Sequence, residues 1–312
     1  MVALQISPYV PTRDAEWDKV VRNSKNGNFL HLRNYMDYHA ERFSDASLVI
    51  HRNDKPVGVF PANFSDSQIM SHGGLTYGGL IYTEELSAEE VIRVFEGIGS
   101  FYQERNIKNI IYKPIPHIFH RYPCEEDLYA LYRVGAKLIR RDASSAIDLQ
   151  NRVGYSKGRK WSINKAKKSG IKLQRVLDLQ EFHDLLSNVL KKFGTAPVHS
   201  LDELELLSMR FPREIQIYGA YSNVKLAAAA LVFDFDKTVH TQYLAASEVG
   251  REIGALDFLL ADLIENCYAD RRFFSFGIST ENSGLVLNSG LIAQKEGFGA
   301  RTIVHDFYEW IL

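Results

Sequence analysis

The segment SKGRKWSINKAKKSGIK, residues 156–172, contains seven lysines or arginines and no carboxylate. From residue 151 to residue 175 there are nine bases and no acid, and removing these nine from 37 leaves 28 bases against 38 acids. Such a concentration of one charge predicts a site for an anion such as a phosphate, a diphosphate or a nucleic-acid backbone. The residues expected to contact phosphate are Lys157, Arg159, Lys160 and Lys165. The alternative is a solvated helix face without a ligand.

A second candidate binding segment is SHGGLTYGGLIY, residues 71–82, with its four glycines in two pairs. Glycine permits positive φ and close approach to the backbone. The segment therefore predicts part of an acceptor pocket, with His72, Thr76 and Tyr77 as its polar contacts. The alternative is a bulged strand that crosses between layers.

Few residues have the spacing of metal ligands. Cys124 and Cys267 are far apart and neither belongs to a CxxC, which indicates a reducing compartment and no thiolate zinc site. His117 and His120 are three residues apart, but the prolines around them argue against a helix long enough to aim both at one ion. No metal site is predicted. Lys113, His120 and Arg121 are candidates for anion contacts instead.

Length and composition favour a well-packed globular protein. The chain has 312 residues, 46% of them hydrophobic and 12% aromatic, which predicts two domains or one duplicated fold. No stretch approaches the roughly 18 apolar residues of a membrane span. The start, MVALQISPYVPTRD, lacks the layout of a signal peptide. We therefore expect a cytoplasmic protein.

The apolar periods predict a mixed α/β order. In the first half, NFLHLRNYMDYHAERF predicts a helix, Asn53-Asp54 a hairpin turn, and Ser87 the cap of a long helix. That helix leads into a buried strand, IKNIIYKPIP, then a short helix and closing strands. The second half repeats this order, with three strands in EIQIYGAYSNVKLAAAALVFDFDKTVHTQYLAAS before its long helix.

The two halves also match in register. A shift of 164 residues places residues 107–113 on 271–277 and Gly135-Ala136-Lys137 on Gly299-Ala300-Arg301. This match predicts an internal duplication. We expect an α/β (α+β) protein of two similar units, residues 1–150 and 151–312, with a ligand-binding cleft between them.

The order of elements resembles the GNAT acyltransferase fold present twice, as in the Fem-type peptidyl transferases and the BioF2-like GNAT group. Three motifs carry the resemblance: the basic helix RKWSINKAKKSGIK, the run YLAAS followed by GALDFLLADLIENCYADRRFFSFG, and the ending GLIAQKEGFGA. They occur in the family's order. The likeness covers most of the chain in topology.

The resemblance implies transfer of an acyl or aminoacyl group to an amine, on an acceptor such as a cell-wall precursor or a nucleotide-linked sugar. Acyl-CoA and aminoacyl-tRNA are the candidate donors. The coiled-coil arm of some Fem-type enzymes has no counterpart here, because no long heptad run occurs between residues 151 and 312. This absence puts the aminoacyl-tRNA branch in doubt.

GNAT proteins hold the CoA pyrophosphate on backbone amides at a helix N-terminus, in a pattern Arg/Gln-x-x-Gly-x-Gly/Ala. The segment ASEVGREIGALDF offers Arg251, Gly254 and Ala255, but Leu256 occupies the last small position. The resemblance thus implies a partial cofactor site. The alternative is a glycine-rich helix entry without a ligand.

The resemblance also points to catalytic residues. The tyrosine acid of many acetyl-CoA-dependent relatives is replaced by Ala293, whereas Lys295 stands where Fem-type proteins keep a lysine. A fixed ammonium there would stabilise the oxyanion formed when an amine attacks an ester or thioester. The acceptor amine needs a base, for which His240 and Glu281 are candidates.

We therefore expect a tandem GNAT-like transferase that acts on a phosphate-bearing acceptor. The first alternative is a nucleic-acid-binding module. Trp161 is the one aromatic residue within residues 156–172, however, where single-strand binding surfaces interleave several. The second alternative is a duplicated fold without catalysis that serves as a scaffold, which the missing acid at Ala293 favours.

Overall fold

A computed structural model describes residues 3–312. These residues form two compact units, the first built from residues 3–142, 282–286 and 304–312, and the second from residues 143–281 and 287–303. The sequence predicted one change of unit, at residue 150. In the structure the packing changes at residue 142, and two short later segments return to the first unit.

The first part of the chain is rich in short strands, six of which follow one another without an intervening helix. The strands are β1 (Leu4–Pro8), β2 (Ser44–Asp45), β3 (Leu48–Arg52), β4 (Lys55–Phe60), β5 (Asn63–Ser65), β6 (Gln68–Met70), β7 (Ile81–Tyr82), β8 (Asn109–Tyr112) and β9 (Lys137–Asp148). The α-helices are α1 (Asp14–Asn23), α2 (Arg33–Met36), α3 (Ala88–Gln103) and α4 (Glu126–Arg133).

The later part has longer strands. They are β10 (Lys172–Arg175), β11 (Ile215–Ser222), β12 (Lys225–Asp234), β13 (Thr238–Ala246), β14 (Phe273–Ile278), β15 (Thr280–Glu281), β16 (Val286–Leu287) and β17 (Arg301–Ile311). The helices are α5 (Lys157–Lys168), α6 (Leu179–Lys191), α7 (Leu201–Arg210), α8 (Glu248–Ile253), α9 (Ala255–Asp262), a π-helical turn (Leu263–Cys267) and α10 (Ser289–Gly297).

The first unit packs α3 and α4 on its strands. One sheet has the order β1-β3-β4-β7, and β8, β6, β5 and β2 are hydrogen-bonded in that order in another. Helix α3 begins at the predicted Ser87 cap, because the Ser87 hydroxyl accepts from the Glu90 N–H and the Glu90 carboxylate accepts from the Ser87 N–H. Its apolar face joins a core centred on Phe60, Phe95 and Tyr112.

The second unit has one antiparallel run, β10-β11-β12-β13, followed by β14 and then β9. Strand β12 is buried over nearly its whole length, since residues 226–233 lie between covering layers. Helix α9 covers β12 with Leu259, Leu260 and the turn residue Leu263, all at most 1% exposed. The long apolar run of the sequence therefore becomes the central strand of this unit.

The predicted duplication is confirmed by the elements themselves. Strand β8 shifted by 164 residues falls on residues 273–276 of β14, and β9 and β17 begin at Lys137 and Arg301, which are 164 residues apart. Gly135 and Gly299 precede these strands with φ of 75° and 88°. Both copies thus use a left-handed glycine to leave a helix and enter a strand.

The helix predicted over residues 28–43 is wrong in length. The structure has a 3-10 turn at Phe29–His31, the four-residue α2, and a second 3-10 stretch at Asp37–Arg42. Leu32 is extended, with φ −70° and ψ 143°, and His39 is non-helical. The apolar spacing was right, but it reflects successive short turns whose side chains are buried on one side.

Candidate functional site

Strands β13 and β14 of the second unit separate after a short parallel contact. Their register has three pairs, from Thr238 opposite Phe273 to His240 opposite Ser275. Strand β13 then continues along β12 to Ala246, with a bulge at Gln242. The carboxyl ends of the two strands therefore diverge. Ligands bind at such positions in α/β sheets, where backbone groups are left without a neighbouring strand.

His240 lies where the two strands separate. Its Nδ1 is 3.0 Å from the Ser275 hydroxyl oxygen, which orients the ring. Gly277 has φ of 74°, and a Cβ there would be 3.2 Å from His240 Cε1 and 3.7 Å from Nε2. The ring therefore lies against the backbone of Gly277. The half-buried His240 is a candidate base held in one orientation.

Lys295 is buried next to the same glycine. Its residue is 5% exposed, and Nζ donates to the carbonyls of Gly277 at 2.8 Å and Ile278 at 2.6 Å. Burial lowers the pKa of the Lys295 ammonium to about 8. An ammonium has three N–H groups, so one remains beyond these two bonds. The structure thus brings two predicted catalytic residues, His240 and Lys295, into contact with the same residue, Gly277.

Glu281 lies three residues beyond the end of β14. It is exposed, and its carboxylate accepts from the Asn288 side-chain amide at 2.7 Å. Asn288 also caps α10 by accepting from the Leu291 N–H. Glu281 therefore contacts the entry of the helix that carries Lys295.

The basic helix α5 divides into a buried side and an exposed side. Arg159 belongs to the buried side, because its Nη1 lies 2.6 Å from each carboxylate oxygen of Asp257 in α9. Arg159, one of the four residues predicted to contact phosphate, therefore already has a carboxylate partner within the protein. Lys165 donates to the Glu252 carbonyl at 2.7 Å. Lys157 and Lys160 are exposed.

The partial cofactor motif is explained by close packing. Gly254 has φ of 77°, and a Cβ there would lie 2.5 Å from the Ser162 hydroxyl and 2.7 Å from its carbonyl. Ala255 is 0% exposed. Gly254, predicted to bind a cofactor phosphate, therefore packs closely against Ser162 of α5. Arg251 is exposed and donates to the Ala246 carbonyl at the end of β13.

The glycine segment of the first unit is mostly interior. Of the three predicted acceptor contacts, His72 is 6% and Tyr77 3% exposed, whereas Thr76 is exposed. Tyr77 accepts a hydrogen bond from the Asn28 amide at 3.3 Å. Lys113 is also buried and donates to the carbonyls of His72 and Leu75. Burial is the main reason that the pKa of the His72 imidazole is lowered to about 3.

No group of three His, Cys, Asp or Glu side chains within residues 3–312 is placed to hold a metal ion. No helix in this range is long and apolar enough to cross a membrane.

Comparison with solved structures gives the fold. No family model matches the chain, and no curated protein matches it. FemX superposes with a TM-score of 0.69 at 12% identity, covering 99% of this chain and 97% of its own. The C-terminal domain of a putative lysylphosphatidylglycerol synthetase from Agrobacterium fabrum superposes with a TM-score of 0.62 at 11% identity, covering 96% and 91%. A tandem GNAT protein from the clavulanic acid biosynthesis pathway gives 0.53 at 11% identity, covering 99% and 98%.

The chain has the Fem-type tandem GNAT fold. The α/β class and the two GNAT-like units expected from the sequence are thereby confirmed. At these sequence identities, the likeness to the solved structures shows the fold alone.

Two residues around the candidate site were not predicted. Ser275 orients His240, and Asp257 neutralises Arg159. Asp257 had a signal in the sequence, because a lone acid in the apolar run GALDFLLA needs a partner when the helix is buried. Ser275 had none, since a serine between aromatic residues is equally common in a plain buried strand.

Proposed function

We propose that this protein transfers an acyl or aminoacyl group from an activated donor to an amine on a phosphate-bearing acceptor, in the cytoplasm, at a site in residues 151–312. The observation that carries the proposal is the placement of His240 and Lys295 around Gly277, where β13 and β14 diverge. A base and a buried ammonium at one open strand end are the groups that aminolysis of an ester or thioester requires.

The step divides between the two side chains. The acceptor amine attacks the carbonyl carbon of the donor and forms the new C–N bond, while His240 takes the proton from the nitrogen. The remaining N–H of Lys295 stabilises the oxyanion on the carbonyl oxygen. Collapse of this intermediate breaks the bond to the leaving group, a thiolate or an alkoxide, which takes up a proton. Because Ala293 cannot supply it, we propose that protonated His240 returns it.

Acyl-CoA and aminoacyl-tRNA are both retained as proposed donors. One structural neighbour is the C-terminal domain of a putative lysylphosphatidylglycerol synthetase. That name contains an aminoacyl group, lysyl, and a phosphate-bearing molecule, phosphatidylglycerol. Another has a title that refers to AcCoA. Lys157 and Lys160, exposed on α5, are the cations we propose for the acceptor phosphate, with Arg251 as a further candidate.

The proposal is tested by ligand-dependent stabilisation and by turnover. The full chain is melted with acyl-CoAs, a non-hydrolysable aminoacyl-tRNA analogue and amine-bearing nucleotide sugars. A ligand at 100 times its dissociation constant stabilises by about 2.7 kcal/mol. Pairs that stabilise are then assayed for amide formation with the native chain, Lys295→Met and His240→Gln.

We expect each variant to lower turnover at least about a hundredfold, the usual contribution of such groups. Lys160→Met is the matched control for loss of a lysine and should change the KM for the acceptor more than kcat. A panel without stabilisation would favour a non-catalytic scaffold. Binding of RNA irrespective of its aminoacyl group, weakening steeply with salt, would favour the nucleic-acid module.

A further inference from the structure

The first unit contains a cavity of about 460 Å³ that no step of the proposed transfer uses. Most of its wall is apolar, and it includes Phe43, Leu48, Phe64 and Phe101. A volume of this size suits a small organic ligand. Phe64 is 40% exposed, so the cavity opens to solvent beside a hydrophobic ring.

One end of the cavity is polar and contains a buried guanidinium. Arg33 is 6% exposed, and its Nη2 donates to Asp37 at 2.8 Å and Asp45 at 2.6 Å. The guanidinium carbon is 3.9 Å from the ring centre of Tyr9 and 5.2 Å from that of Trp17. Nε and Nη1 have no hydrogen-bond partner and almost no accessible surface. Arg33 is therefore enclosed by protein groups and offers little of its charge to a ligand.

The two carboxylates remain accessible. The side chains of Asp37 and Asp45 are 38% and 37% exposed, and Arg33 contacts one oxygen of each. The other oxygen of Asp45 accepts from the Ser47 N–H. Asp14 adds a third carboxylate nearby, bonded to the Tyr9 hydroxyl. The acids at this end of the cavity thus outnumber its one buried base.

The second guanidinium on the wall does not reverse this balance. Arg105 donates to the Phe101 carbonyl at 2.6 Å and lies 3.5 Å from the centre of the Phe101 ring. Its nearest carboxylate is that of Glu104, at 3.9 Å. Arg105 is therefore held on Phe101 and has an acid of its own.

We propose that this cavity binds a primary ammonium attached to an apolar, preferably aromatic, group. The ammonium would be held between Asp37 and Asp45, and the apolar part would lie against Phe43, Phe64 and Phe101. Aromatic faces attract cations as well as apolar groups, so the same wall suits both ends of the ligand. An anionic ligand is disfavoured, because the carboxylates are the accessible charges.

Asp37 is repelled by two other carboxylates, those of Asp14 and Asp45. Burial raises the pKa of the Asp37 carboxyl above its ordinary value, and the attraction of Arg33 only partly offsets this rise. The negative charges of Asp14 and Asp45 raise the pKa further. A cation bound between Asp37 and Asp45 would relieve this repulsion.

Calorimetric titration of the full chain with three matched probes tests the inference. The probes are 2-phenylethylammonium, neutral 2-phenylethanol and anionic 3-phenylpropionate. Because a hydrogen bond to a charged group is worth more than a neutral one, we expect the amine to bind about tenfold more tightly than the alcohol. The carboxylate should bind more weakly than either. A fourth probe, phenylalanine, carries both charges and should bind more weakly than the amine.

Two variants locate the binding. Asp37→Asn keeps an acceptor for Arg33 and should remove most of the preference for the amine over the alcohol. Phe64→Ala should weaken the binding of the amine and of the alcohol equally. Asp66→Asn, an exposed aspartate in the β5–β6 turn outside the cavity, is the control and should change neither. Melting curves of each variant show whether it is folded.

Equal affinity for amine and alcohol, tighter binding of the carboxylate, absence of binding by all probes, or an Asp37→Asn variant that retains the preference would each overturn the proposal. Transferase activity does not enter any of these readouts. The ammonium site and the proposed transfer reaction can therefore fail independently.

Discussion

Arg159 Nη1 lies 2.6 Å from both carboxylate oxygens of Asp257, and this ion pair joins α5 to the first turn of α9. The guanidinium also lies 5.1 Å from the ring centre of Phe298, at the end of α10. One arginine of the basic segment thus holds three helices of the second unit together. The lysines around it on the exposed side are left for solvent or a ligand.

The first prediction concerns this pair. Arg159→Met leaves the 8% exposed Asp257 without its partner, so we expect the free energy of unfolding to fall by about 2–3 kcal/mol. The double variant Arg159→Met with Asp257→Leu should recover much of this loss, because no buried charge then remains. Denaturant unfolding of the native chain, Arg159→Met, Asp257→Leu and the double variant measures the coupling. Lys160→Met, on the exposed side of α5, should change stability by less than about 0.5 kcal/mol. Additive effects would contradict a direct interaction.

The different roles of these bases show where sequence reasoning ends. The pattern KGRKWSINKAKK predicted a basic helix, and the structure has one at α5. Which lysine or arginine faces inward depends on an acid 98 residues further along the chain, a contact that helical spacing does not reveal. The duplication, by contrast, could be predicted from the sequence. A glycine with left-handed backbone before a strand has few possible substitutes, so it is found at the corresponding position of both halves.

The second prediction concerns the contact between Gly277 and His240. Gly277→Ala forces a residue with a Cβ into φ of 74° and brings that atom to 3.2 Å from the ring. The left-handed backbone alone costs about 1–2 kcal/mol. Gly170→Ala is the matched control, since Gly170 has φ of 70° and nothing within 4 Å of an added Cβ. We expect both variants to lose similar stability in thermal melts, but only Gly277→Ala to lose turnover. Equal turnover in the two would show that the position of His240 is not critical.

Lys295 should make the stability of the chain depend on alkaline pH. Burial lowers the pKa of its ammonium to about 8 in the folded chain, whereas the pKa of an unfolded lysine is about 10.4. Between these values the unfolded chain binds the extra proton, so the stability of the native chain rises with pH relative to Lys295→Met. The difference should grow by up to about 1.4 kcal/mol per pH unit. Urea unfolding from pH 7.5 to 10 measures it. Lys160→Met should show no such trend, and a flat difference for Lys295→Met would mean that the ammonium titrates normally.

His72 should make the first unit sensitive to acid. Burial, with smaller contributions from His39 and Lys113, lowers the pKa of His72 to about 3, against about 6.5 for an unfolded histidine. Below pH 6.5 the unfolded chain therefore binds a proton that the folded chain does not, and stability falls as the pH falls toward 3. His72→Asn removes this proton and tolerates φ of 59°, because asparagine adopts left-handed backbone readily.

The measurement for His72 is urea unfolding between pH 7 and pH 4.5. The native chain should lose up to about 1.4 kcal/mol per pH unit more than His72→Asn, because a single proton sets that limit. His31, whose pKa burial lowers to about 4, contributes equally to both proteins and cancels. His117→Asn, at an exposed position, is the control and should follow the native curve. Parallel curves for the native chain and His72→Asn would mean that the folded chain accepts the proton on His72 as easily as the unfolded one, and that the ring is more open to water than its 6% exposure indicates.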